Sequence, residues 1–246
     1  MNRYYFRIIF VYFLVVTSIF FRMYKDNTDN KIQEEDIKNS VVQEIVISNN
    51  DDKTNYREKI DDLRKLYNNQ DVIGIFSIDN TNFNEVVMQT NDNEYYLDYS
   101  ISGNYDQIGQ AFLDYRVNIK NSKKLIIYGH NSNYLKLPFS IFENYYNEDY
   151  YLNHKYLYLQ TEEGINKYLI FSVYIEVSDF SYYSKMYFKN DDDYLEHISS
   201  LKDKSIYDTG VNIDKNSEIL IIQTCSTLSK YMSYDNSFLL VIGKKI

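Results

Sequence analysis

The chain has 246 residues with a formal net charge of −9; 44% are hydrophobic and 17% aromatic, with 28 tyrosines, no tryptophan, one proline, seven glycines and one cysteine. That is enough apolar material for one good-sized packed domain, and so little glycine and proline excludes long flexible linkers. The acidic balance argues against a nucleic-acid partner, since phosphate contacts need clustered lysine and arginine, and a lone cysteine excludes an internal disulfide.

The first feature along the chain is the apolar run Ile8–Phe21, extended backwards by Tyr4, Tyr5 and Phe6 with Arg7 interrupting it. Its length is close to the ~20 residues that cross a bilayer, and Arg7 sits near one end, where it snorkels to the interface. The segment Ser18-Ile-Phe-Phe-Arg-Met lacks the small residues of a signal-peptide cleavage site. The expectation is an uncleaved single-pass membrane anchor over residues 1–25, a polar stalk over 26–53 and one folded domain over 54–246.

The spacing of Tyr56, Ile60, Leu63, Leu66 and Tyr67 predicts a helix over 54–69, with Thr54 as its cap. From residue 72 the period shortens. Strand-like runs fall at 72–78, 85–89, 111–116, 124–129, 155–161, 166–178, 218–224 and 238–243, separated by polar turn clusters such as Asp79-Asn-Thr-Asn. Two helical segments interrupt them, one at 139–146 and one at 191–203, where Tyr194, Leu195, Ile198 and Leu201 form a stripe. Many strands with few helices predict a mainly β domain, a closed or nearly closed barrel with added helices.

Two of these runs end in reactive side chains. Lys124-Leu-Ile-Ile-Tyr-Gly-His130-Asn131 delivers an imidazole, and Glu218-Ile-Leu-Ile-Ile-Gln-Thr-Cys225 delivers the only thiol. A cysteine nucleophile with an acid–base partner needs those two groups. Asn131 is placed to orient the imidazole, and Gly129 removes bulk beside it. A thiol activated in this way is expected to react with iodoacetamide well below pH 8. His154, in a polar loop, and His197, on the helix at 191–203, read as surface residues. Glu34-Glu-Asp36 and Asp191-Asp-Asp193 read as solvated charge runs, so no metal and no cofactor are expected.

Several motifs, in order, resemble those of the sortase family, class B. Tyr128-Gly-His-Asn131 resembles its histidine motif, Gln223-Thr-Cys225 the end of its T-L-x-T-C motif, and Asn91–Leu97 and Gly109–Arg116 the stretches upstream of the histidine. The resemblance runs from about residue 56 to the end. It implies an eight-stranded β-barrel with an N-terminal helix and a long helix between strands 6 and 7. It further implies a cell-wall transpeptidase of Gram-positive bacteria, held at the cell membrane with its catalytic domain on the cell-wall side. In that reading Cys225 attacks the threonine carbonyl of a sorting-signal peptide (N-P-x-T-x-like) near a surface protein's C-terminus. His130 acts as general acid and base, and a peptidoglycan-precursor amine resolves the thioester. Asn93, Leu97, Asn131, Gln223, Thr224, Ser226 and Ser237 fall where the family contacts substrate.

The chain departs from the family pattern at one functional position. The family has an arginine on the strand after the cysteine; here no arginine follows Arg116, and the position holds Ser237 or Phe238. Lys230 is the candidate substitute, as a point charge rather than a guanidinium fork. The departure keeps two other readings open: a weakly active or inactive sortase-fold protein that binds peptides, and a simple cysteine peptidase.

Overall fold

The alternating runs become strands because each has one face to bury. In a computed structural model describing residues 53–132, 134–135, 137–231, 233–234 and 236–246, with side chains from 56 onward, eight strands close into a barrel. They are β1 (Val72–Ile78), β2 (Asn84–Met88), β3 (Phe112–Leu113), β4 (Lys124–Tyr128), β5 (Tyr156–Thr161), β6 (Gly164–Glu176), β7 (Ile219–Cys225) and β8 (Phe238–Lys245). Their order around the barrel is β1-β2-β3-β4-β7-β8-β6-β5. Closure leaves no unpaired edge. The run expected over 111–116 shrinks to Phe112–Leu113 because the chain turns at Asp114, whose carbonyl accepts from Val117 N at 3.2 Å.

The helices are α1 (Lys53–Tyr67), α2 (Glu148–Asn153), α3 (Ser181–Ser184) and α4 (Asp191–Asp203). The cap expected at Thr54 lies outside the described side chains. The segment at 139–146 is a 3₁₀ helix, Pro138–Tyr146, and the short α2 that follows it has no counterpart among the elements expected from the sequence. The acidic run Asp191–Asp193 forms the first turn of α4, behind an Asn190 cap that accepts from Asp193 N. Negative charge is favourable at that end of a helix.

Side-chain alternation sorts the core into two layers. On β7, Leu220 and Ile222 point into the barrel while Ile219 and Ile221 point outward; on β8, Leu239 and Val241 go in and Leu240 and Ile242 go out. The outward set packs under α4 through Tyr194, Ile198 and Leu201. His197 corrects an expectation. It is buried on that same face, with Nε2 3.1 Å from Lys124 Nζ, rather than on the wet side. Burial and the charge of Lys124 push its imidazole down to about 3. The spacing 194, 197, 198, 201 already places it on the apolar stripe.

A second correction concerns the membrane. No helix among the described residues is long and apolar enough to cross a bilayer; α1, of 15 residues, falls short of the ~20 required. Residues 1–25 and the stalk at 26–52 lie outside the described residues. The single-pass anchor and the extracellular placement that depended on it are therefore not supported.

Candidate active site

The placement of the site begins with one pair of parallel strands. β4 and β7 pair in register from Lys124↔Ile219 to Tyr128↔Gln223. The two chains stay together past the ladder. Gly129 N donates to Gln223 O at 3.1 Å, Thr224 Oγ1 to Gly129 O at 2.8 Å, and Asn131 Nδ2 to Cys225 O at 3.1 Å. Successive strand side chains alternate between faces, so Tyr128 and His130 share the outer face with Gln223 and Cys225, while Thr224 turns inward and is buried. Gly129 is required by packing against the 3₁₀ segment: a Cβ there would lie 2.4 Å from the Phe139 ring.

His130 and Cys225 line one groove of about 460 Å³. Asn93, Leu97, Phe180, Tyr182 and Tyr183 line it too, and Phe238 is paired with Cys225 across the β7–β8 ladder. The groove is largely apolar and aromatic with a few polar groups converging on the thiol, as peptide and small-molecule sites usually are.

His130 Nε2 lies 2.9 Å from Leu97 O. A carbonyl only accepts, so Nε2 carries the proton in the neutral ring and Nδ1 is the nitrogen free to take or release one. Cys225 is exposed at the groove, yet the protein packed around it pushes the thiol's pKa up. Among the described residues no lysine or arginine lines the groove to pull it back. This runs against the expectation of rapid alkylation well below pH 8. A raised pKa means less thiolate at neutral pH. The iodoacetamide rate of the purified chain is therefore expected to keep climbing through the titration of an ordinary cysteine and to level off above it. A plateau near pH 7, measured by mass spectrometry of quenched samples, would contradict this electrostatic account.

Behind the groove sits a buried carboxylate that the sequence did not announce. Asp114, with no exposed surface, accepts from Arg116 Nε at 2.9 Å and Nη2 at 2.6 Å, from Tyr128 OH at 2.6 Å and from Asn93 Nδ2 at 3.1 Å. Burial alone would raise its pKa; the Arg116 guanidinium and the Tyr128 hydroxyl hold it below the usual carboxylate value. Arg116 Nη2 also donates to Tyr183 O at 2.9 Å. One ion pair thus ties together three residues that line the groove, Asn93, Tyr128 and Tyr183. Tyr182 OH donates to Gln223 Oε1 at 2.5 Å.

Among the residues singled out from the sequence, Cys225, His130, Asn93, Leu97, Gln223 and Thr224 come together at the groove. Asn131 is buried and holds the Cys225 carbonyl. Ser226 and Ser237 do not line the groove; Ser226 N donates to Ser237 O at 2.8 Å, and Ser226 Oγ lies 3.0 Å from Tyr146 OH. Lys230 is exposed, with Nζ 4.9 Å from the centre of the Tyr231 ring, and does not line the groove. Sequence reasoning missed the groove residues Phe180, Tyr182 and Tyr183, as well as Phe238, Asn236 and the Asp114–Arg116 pair. The sequence held a signal only for Arg116, a charge two residues from an acidic residue at the end of an apolar run.

Comparison with known proteins places this geometry. No protein-family model matches the chain. Sortase B of Listeria monocytogenes is 31% identical over 178 residues, covering 71% of this chain and 70% of the relative. Sortase B of Staphylococcus aureus is 28% identical over 170 residues, covering 69% and 68%. Among solved structures, a cysteine-to-serine mutant of Clostridium perfringens sortase B superposes with a TM-score of 0.74 at 25% identity, covering 86% of this chain and 96% of that one. The Staphylococcus aureus sortase B–substrate complex gives 0.76 at 24% identity, covering 89% and 97%. A sortase B complexed with triglycine gives the same TM-score of 0.76, also at 24% identity, over 89% and 98%.

Proposed function

We infer the function of this chain from the family to which it belongs, the class B sortases, whose members are cysteine transpeptidases. Cys225 Sγ attacks the carbonyl of a threonine in a sorting-signal peptide of the N-P-x-T-x kind. His130 takes the thiol proton and passes it to the departing amine. The thioester then meets the amine of a peptidoglycan precursor, His130 removes that amine's proton, and the surface protein becomes attached to the cell wall. Asn93, Leu97 and Gln223 line the path of the peptide. Thr224 acts from inside the barrel by fixing the Gly129 carbonyl. Lys230 has no place in this scheme.

The observation that carries the reading is the in-register end of β4 and β7, which sets the thiol and the imidazole on one face of one groove. The raised thiol pKa fits it: a thiol that stays protonated at rest loses its proton to His130 as the substrate arrives. Solved sortase B structures that hold a substrate and triglycine support a peptide donor and an amine acceptor.

The test uses the purified chain, a library of N-P-x-T-x and L-P-x-T-G peptides, and triglycine as the amine. Intact mass spectrometry is expected to find a peptidyl adduct on Cys225, and triglycine is expected to divert most of it into a ligated product. Equal release of hydrolysed peptide with and without triglycine would make the chain a peptidase. Tight peptide binding without any adduct would make it a binding protein.

A further inference from the structure

Attack on a peptide carbonyl moves an electron pair onto the oxygen, and some donor must meet that charge. Among the described residues nothing in the groove offers a cation except the imidazole, since no described lysine or arginine lines it. Several of the neutral donors there are already engaged. Tyr128 OH gives its proton and Asn93 Nδ2 one of its two to Asp114, Thr224 Oγ1 gives its proton to Gly129 O, and His130 Nε2 gives its own to Leu97 O. Among the described groove residues the side-chain donors left, apart from the thiol, are the carboxamides of Gln223 and Asn236, the Tyr183 hydroxyl and the second Nδ2 proton of Asn93, whose amide is already tied at both ends, to Asp114 and to Tyr115 N. Asn236 and Tyr183 are exposed, Asn236 on a loop and Tyr183 on the four-residue helix α3.

Gln223 differs in two respects. It sits on β7 two residues before Cys225, on the same face, where side chains are about 6.6 Å apart along a strand, a gap its side chain spans. Its orientation is also determined. Tyr182, which is buried, donates its hydroxyl proton to Gln223 Oε1. With Oε1 held by Tyr182, the Nε2 protons are the end of this groove-lining amide left without a hydrogen bond among the described residues. A donor fixed in advance costs no reorganisation when charge develops, which is what makes such a group effective.

We propose that the Gln223 carboxamide is the oxyanion donor of this enzyme and that Tyr182 is the positioning residue that aims it. The inference rests on the thiol–imidazole reading above. As Sγ bonds to the carbonyl carbon, the carbonyl π pair moves to oxygen and Gln223 Nε2–H donates to it. The pair then returns, the C–N bond breaks, and the leaving nitrogen takes the proton that His130 had received from the thiol. The proposal accounts for a class B sortase that has no arginine after Arg116.

The experiment compares two reactions of the same thiol in the full chain. Acylation by p-nitrophenyl acetate passes through an oxyanion, whereas alkylation by iodoacetamide does not. Gln223→Ala and the similarly sized Gln223→Met are expected to slow acylation on the order of 10²-fold and to leave alkylation within about twofold. Tyr182→Phe, which frees the amide to rotate, is expected to slow acylation about tenfold with alkylation again unchanged. A loss below about tenfold in both Gln223 variants would overturn the proposal. So would a matching drop in alkylation, or a larger acylation loss in Asn236→Ala. If the wild-type chain accepts no peptide while the two reactions still split in this way, the inference stands and the peptide-substrate reading falls.

Discussion

Replacing Cys225 with alanine is expected to remove the peptidyl adduct entirely and to lower peptide cleavage on the order of 10⁴- to 10⁶-fold, the range seen when a covalent nucleophile is deleted. The fold will not confuse the result. The cysteine side chain is exposed, and the neighbouring interactions use its backbone: its pairing with Phe238 and its carbonyl bond to Asn131. Exposed substitutions of this kind usually shift stability by about 0.5 kcal/mol or less. Peptide binding should therefore survive while chemistry is lost, and fluorescence anisotropy with a labelled sorting-signal peptide reads the two separately. Because this is the only cysteine in the chain, any thioester found by mass spectrometry in the wild type must sit there. Cleavage that persists in the alanine variant would remove Cys225 from the mechanism.

The parts of this site that could be read from the sequence are those written locally. The apolar runs before His130 and Cys225 each belong to one strand, and the alternation that buries Leu220 and Ile222 also turns Cys225 outward. A strand period is a property of neighbouring residues, so β4 and β7 were visible, as was α4 with its stripe. Most of the groove's aromatic lining was not. Phe180, Tyr182 and Tyr183 act through contacts with residues some 40 to 70 positions away, such as Tyr182 with Gln223 and Tyr183 with Arg116, and no local pattern announces a partner at that separation. Asp114 was hidden for the same reason. An aspartate at the end of an apolar run reads as a turn, and only the folded barrel brings Tyr128, Asn93 and Arg116 to its oxygens. His197 is the opposite case: its helical phase places it inside, and its polarity is a poor reason to set that phase aside.

The same contrast explains why the sequence draws attention to Lys230 and not to a larger role for Gln223. A missing arginine invites a search for another cation nearby in sequence. The structure offers instead a groove that no described lysine or arginine lines, in which burial raises the thiol's pKa. Such an arrangement favours one proton carrier that cycles between the thiol, the leaving group and the incoming amine, over a permanently charged thiolate–imidazolium pair.

That role makes His130 the second position where a single change should be severe. Glutamine is the informative replacement, because its amide can still donate to the Leu97 carbonyl that now accepts from His130 Nε2, yet it cannot carry a proton between groups. His130→Gln is expected to slow both acylation by the peptide and aminolysis by triglycine by about 10²- to 10⁴-fold each. Both halves of the reaction fall together because one imidazole serves both. Iodoacetamide alkylation measured at high pH, where the thiolate forms without help, should change by less than about twofold, since proton transfer no longer limits it. Single-turnover mass spectrometry resolves the two half-reactions. A variant that acylates at the wild-type rate, or one that loses acylation while aminolysis of a preformed thioester proceeds unchanged, would show that the proton is carried by a group other than His130.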